Sequence, residues 1–168
     1  RGLDLTPYHK KLLTTLYNTW LAKTYPAATL ASIRSAAHVA AGQDVPILQR
    51  QEFDTAPTVR FYAEGNFYMH LETSFLEDMR SYLRKDLGVK SLIIGTNDHT
   101  YFVPGMPLVH TTSRFDIIDS HAYWWPPSQT SHRGRTAMVN DPLNSIEVKL
   151  TRSPMVGKPF TVSEVNEP

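Results

Sequence analysis

Cysteine is absent from the 168 residues, which excludes a disulfide framework, a thiolate metal site and a thiol nucleophile. An excess of one charge is also missing. Seventeen Lys and Arg face 16 Asp and Glu, a formal net charge of +1, so no global field draws the chain to nucleic acid or to a charged surface. The densest basic stretch, His132-Arg133-Gly134-Arg135, carries two firm charges and reads as a solvated loop. No apolar run approaches the ~20 residues of a membrane span, and the N-terminal RGLDLTPYHKK has no signal-peptide core. The G-x-S-x-G elbow of a serine hydrolase, the P-loop and the G-x-G-x-x-G fingerprint do not occur. The seven histidines show no H-x-x-x-H spacing, so no zinc site is expected. These absences lead us to expect no cofactor, no metal, no nucleic-acid partner and no membrane partner.

What remains is the composition of a globular protein, 41% hydrophobic and 20% charged. The length suits one core of ordinary size, so residues 1–168 are read as a single domain. Thr6-Pro7 opens a helix as N-cap and first turn. Tyr8, Leu12, Leu13, Leu16, Tyr17, Trp20 and Leu21 then give it a buried stripe, and Pro26 ends it. A second helix is predicted over Ala28 to Ala41, stopped by Gly42. Residues 43–64, with Pro46 and Pro57, read as a long irregular connection of the kind that often carries function. A third helix is predicted from Asn66 to Leu87, with Phe67, Leu71, Phe75, Met79, Tyr82, Leu83 and Leu87 on one face and Gly88 as its stop.

Beyond Gly88 the pattern changes. Leu92-Ile93-Ile94, Phe115 to Ser120, and Phe160 to Ser163 are short runs of the type buried in parallel sheets. A short helix is predicted from Asn144 to Leu150. Helices alternating with buried strands mean an α/β fold.

Each strand closes on polar or aromatic groups: Asn97, Asp98 and His99; Asp119, His121, Tyr123, Trp124 and Trp125; Glu164, Asn166 and Glu167. Parallel strands place these C-terminal ends on one edge, the catalytic edge of a (β/α)8 barrel. Plainer readings stand beside this one. Asn97-Asp98-His99 also suits a capping turn, His121 a core histidine bonded to a backbone carbonyl, and the aromatic cluster rim packing. Glu164 is harder to explain structurally, because a carboxylate beside a buried strand needs a partner or a task. Carboxylates flanked by Trp and Tyr suit sugar chemistry. Aromatic faces stack on pyranose rings, and a carboxylate can attack an anomeric carbon.

The segments DIIDSHAYWW (116–125) and KPFTVSE (158–164) resemble the sixth- and seventh-strand motifs of clan A retaining glycoside hydrolases. The first has the form D-x-x-D/S-x-H-x-Y. The second has the form P-hydrophobic-x-x-(S/T)-E. The resemblance covers strands five to seven and the helices before them. It implies an α/β fold that is part of a (β/α)8 TIM barrel, and a glycosidase that hydrolyses β-glycosidic bonds of a polysaccharide or oligosaccharide with retention. Glu164 would be the nucleophile, held ionised in the barrel interior. His121 and Tyr123 would contact the nucleophile or the sugar. Trp124 and Trp125 would line subsites, with Asn97, His99 and Asn166 facing the same cleft.

The resemblance also implies that the acid/base, in an Asn-Glu pair closing strand four, precedes Arg1. The chain then reads as an excised piece that is inactive alone, with open sheet edges that favour self-association or a complementary barrel fragment. A rival mapping takes Asn166-Glu167-Pro168 as that pair and Glu167 as the acid/base. It leaves DIIDSHAYWW in the wrong place and Glu164 unused. The alternative of another class is a non-catalytic carbohydrate-binding or scaffold domain. A secreted or periplasmic location fits polysaccharide chemistry but is not written in these residues.

Overall fold

The computed structural model describes residues 5–95, 98–99, 110–123, 142, 145–151 and 154–166. The chain divides between Leu71 and Glu72 into two compact units.

The first unit is helical. Helix α1, Pro7–Thr24, begins where the Thr6 hydroxyl accepts from the His9 N–H. Tyr17 and Leu21 are fully buried, whereas Tyr8, Leu12 and Leu16 are exposed, so only part of the expected stripe is core. Helix α2, Ala27–Ala36, ends five residues before the predicted last residue, Ala41. The cause is His38, which takes a left-handed conformation (φ 55°). That conformation closes a helix as glycine would, and composition alone did not mark His38 for it. Helix α3, Thr58–Ser81, starts eight residues before the predicted Asn66. Pro57 lies just outside the first turn, and its carbonyl accepts the N–H groups of Arg60 and Phe61.

The segment between α2 and α3 is not a free loop. Val45, Ile47 and Leu48 are buried in the core with Tyr17, Leu21, Ile33, Ala63 and Phe67. A buried extended segment must satisfy its backbone polar groups, and helix side chains serve it here. Asn18 donates to the Val45 carbonyl at 2.9 Å and accepts from its N–H at 2.8 Å. Arg60 donates to the Pro46 carbonyl at 2.9 Å. Glu64, fully buried, accepts from the Leu48 N–H at 2.8 Å and from the Tyr68 hydroxyl at 3.0 Å. The irregular connection therefore carries packing. Phe67 lies at the centre, with ring centroids 5.0 Å from Tyr17 and 5.6 Å from Trp20.

In the second unit α3 widens into a π-helical turn, Tyr82–Asp86. Gly88 closes it at φ 65°, a left-handed conformation that costs glycine little. Phe75, Met79, Tyr82 and Leu87 are exposed, so the predicted stripe past Leu71 is not core.

Three strands form a parallel sheet in the order β1-β2-β3: Asp98–His99, Ile118–Tyr123 and Phe160–Asn166. Helix α4, Ile146–Leu150, lies between β2 and β3 in sequence. The mixed architecture and the parallel pairing follow the expectation, but the strand limits do not. Leu92-Ile93-Ile94 contributes one isolated bridge, Ile94 to Ile117. Only Ile93 of the three is buried. Strand β2 begins three residues later than predicted, and β3 runs on through Glu164 to Asn166.

Gly95 packs against Phe115. A Cβ built on Gly95 would lie 2.5 Å from two atoms of that ring, and Phe115 is itself buried. Gly95→Ala should therefore cost about 1–3 kcal/mol through overpacking, read from the denaturant midpoint. Phe115→Leu in the same chain should recover part of that loss. Strict additivity of the two changes would contradict the contact.

Candidate active site

The alternation of side chains along a strand sets one face of the pair β2–β3. Asp119 and His121 are two apart on β2, and Thr161 and Ser163 are two apart on β3. Asp119 pairs with Thr161 in register. Its carboxylate is almost wholly buried and fully occupied. One oxygen accepts from the Thr161 hydroxyl at 2.8 Å and the Ser163 N–H at 3.0 Å. The other accepts from the Ser163 hydroxyl at 2.5 Å.

The register then slips. Ser120 opposes Val162, but His121 opposes Glu164, so Ser163 is an extra residue on β3. This bulge re-aims the side chains that follow it. In an unbroken strand Ser163 and Glu164 would point to opposite faces, yet both reach the His121 ring. His121 Nε2 lies 2.9 Å from Ser163 Oγ and 3.5 Å from Asp119 Oδ2. Its Nδ1 lies 3.4 Å from Glu164 Oε2. Because the Ser163 hydroxyl is donated to Asp119, its lone pairs accept Nε2–H. The Nδ1–Oε2 contact is close enough for an ion pair but lacks hydrogen-bond geometry. The imidazole is buried and the Glu164 side chain is 57% exposed. The site thus runs from the buried Asp119 through the exposed Ser163 to the buried His121, beside a Glu164 carboxylate open to solvent.

The expected convergence of strand ends is present in the backbone. His99 opposes His121, His121 opposes Glu164, and Tyr123 opposes Asn166. Asn97, Trp124, Trp125 and Glu167 lie outside the described residues. Two expectations change. Glu164 sits inside β3 rather than after it, because the ladder continues to Asn166. Its side chain is more exposed than a barrel interior would leave it. Sequence reading passed over Thr161 and Ser163 and gave Asp119 no role. Their two-residue spacing on neighbouring strands was the available signal. Among the described residues no three His, Asp or Glu side chains lie close enough to form a metal-ligand set.

If Asp119 orients the imidazole, Asp119→Ala frees the Ser163 hydroxyl and removes three accepted hydrogen bonds. Stability should fall by about 1–3 kcal/mol. The contact between His121 and Glu164 should also loosen, read as a change in the His121 ring resonances at fixed pH. Unchanged resonances would contradict the orienting role.

Comparison of the chain with family models, with curated proteins and with solved structures returned no match.

Proposed function

We propose that this chain carries the nucleophile half of a retaining β-glycosidase, with Glu164 as the nucleophile. The observation that carries the reading is the pairing of His121 with Glu164 on adjacent parallel strands, Nδ1 to Oε2 3.4 Å. It joins the two motifs on which the resemblance to clan A glycoside hydrolases rests. The sheet order adds support, since consecutive parallel neighbours are what a (β/α)8 barrel requires.

In this mechanism Glu164 attacks the anomeric carbon while a second carboxyl protonates the departing glycosidic oxygen. Water then cleaves the glycosyl ester, with the second carboxyl acting as base. His121 holds Glu164 on line, and Asp119 and Ser163 hold His121. Asp119 is too deeply bonded to act as the second carboxyl. Tyr123, Trp124, Trp125, Asn97, His99 and Asn166 would line the sugar subsites.

Proton NMR of a β-linked oligosaccharide digested by the full-length protein tests this. The first product should be the β-anomer. The α-anomer as first product would overturn the retaining mechanism. Oligosaccharide binding without hydrolysis would favour the second reading, a non-catalytic carbohydrate-binding domain, for which the exposure of Glu164 is the supporting observation.

A further inference from the structure

The opposite end of the sheet carries a second feature. A cleft of about 560 Å³ in the second unit is lined, among the described residues, by Glu77, Arg80, Ser81, Arg84, Lys85, Ser113, Arg114 and Lys158. Ser113 and Arg114 lie on the turn that enters β2, and Lys158 lies two residues before β3. The cleft thus adjoins the strand N-termini, whereas His121 and Glu164 lie toward the C-termini.

Five cations face it and one lining carboxylate, Glu77, does. Ordinary surface ion pairing would match them more evenly. Asp116 binds both Arg80 (3.2 Å) and Arg84, so it serves two cations at once. The Ile93 N–H, with the two guanidinium groups, holds Asp116 below the usual carboxylate range. Arg84 also donates to the carbonyls of Val89 (2.5 Å) and Ser91 (2.8 Å), and Lys158 donates to that of Phe115 at 2.7 Å. These contacts fix Arg84 and Lys158 in place without cancelling their charge. Arg114 has only a loose contact, 3.6 Å, to Glu77. Arg80 Nε is buried with no hydrogen-bond partner among the described residues. Lys85 has no hydrogen bond or ion pair among them.

Anchored guanidinium groups beside an unpaired lysine and a loosely paired arginine match the fork geometry of an oxyanion. We propose that this cleft binds a phosphate or sulfate ester, independently of any glycosidase activity. Lys85, unpaired among the described residues, and Arg114, held only loosely by Glu77, supply direct contacts. The anchored Arg80, Arg84 and Lys158 supply the field.

Isothermal titration of the full-length protein with inorganic phosphate, and separately with sulfate, tests the site at constant ionic strength set with chloride. Saturable binding is expected. Lys85→Ala with Arg114→Ala should weaken it about tenfold or more, while Lys10→Ala with Lys11→Ala on α1 should leave it unchanged. Neither Lys85 nor Arg114 anchors the fold, and circular dichroism checks this. Lys85→Glu alone, which reverses one charge, should also weaken binding. A monosaccharide phosphate that binds more tightly than free phosphate identifies a small phosphate ester as the ligand. A sulfated oligosaccharide that binds more tightly than free sulfate identifies a sulfated polymer. Absence of saturable binding by both anions, or equal affinity in the wild type and the Lys85/Arg114 variant, overturns the proposal.

Discussion

Glu164→Ala in the full-length protein should lower kcat by about 10⁴-fold or more, the scale of removing a nucleophile. Circular dichroism should be unchanged, because the Glu164 side chain is largely exposed and its loss opens no cavity. The decisive part of the result is rescue. The truncated side chain leaves space at the anomeric carbon for a small anion. Azide should enter, displace an activated leaving group that needs little protonation, and yield a glycosyl azide of α-configuration. Its rate should rise with azide concentration and saturate. Glu164→Gln should be as slow but resist rescue, because the amide still fills the space. A rate within tenfold of wild type in the alanine variant would remove Glu164 from the chemistry.

The second large effect concerns folding. Glu64 is fully buried in the first unit, yet it holds the Leu48 N–H and the Tyr68 hydroxyl. Burial raises its pKa above the ordinary 4.5, against the hydrogen bonds from Leu48 and Tyr68 and the nearby Arg60. The same burial, with Glu64 nearby, pushes the Tyr68 and Tyr17 phenols well above their usual range. Glu64→Ala leaves the Leu48 N–H and the Tyr68 hydroxyl without their acceptor and opens a cavity. It should cost about 3–5 kcal/mol, a large share of the ~5–15 kcal/mol stability of a typical domain.

The sign of the pH effect follows from linkage. With the folded pKa raised, the native state binds more protons than the unfolded chain between the two values. The stabilisation tied to the Glu64 proton is full below pH 4.5 and is lost as pH rises from 4.5 through the folded pKa. Glu64→Gln keeps an acceptor for Leu48 and has no proton to lose, so that component of the slope should vanish. Denaturant unfolding from pH 4 upward, followed by the fluorescence of Trp20, reads this out. An identical slope in Glu64→Gln would contradict the assignment.

Local chemistry made much of the fold legible. Thr6-Pro7 and Gly88 marked a helix start and a helix stop because capping is a property of single residues. Two of the three short apolar runs, Phe115 to Ser120 and Phe160 to Ser163, marked strands of the parallel sheet, whereas Leu92-Ile93-Ile94 marked only an isolated bridge. The failures arose where the deciding interaction is tertiary. His38 ends α2 by adopting a backbone conformation that no sequence pattern announced. Residues 45–48 looked like loop because their hydrogen bonds go to Asn18, Arg60 and Glu64 rather than to a neighbouring strand.

The candidate site divides in the same way. Glu164 and His121 stood out by residue type and position. Their contact through the bulge at Ser163 did not, because a one-residue slip in register leaves no mark on the sequence. The support from Asp119 and Ser163 depends on that slip and became visible only with it.

The most direct test of the central claim is covalent trapping. The full-length protein is incubated with a panel of activated 2-deoxy-2-fluoro glycosides, and the labelled peptide is then mapped by mass spectrometry. Our reading predicts one glycosyl label, on Glu164 in the peptide containing KPFTVSE, with the reacting probe naming the sugar. A label on any other carboxylate, or oligosaccharide binding with no label from any probe, would contradict it.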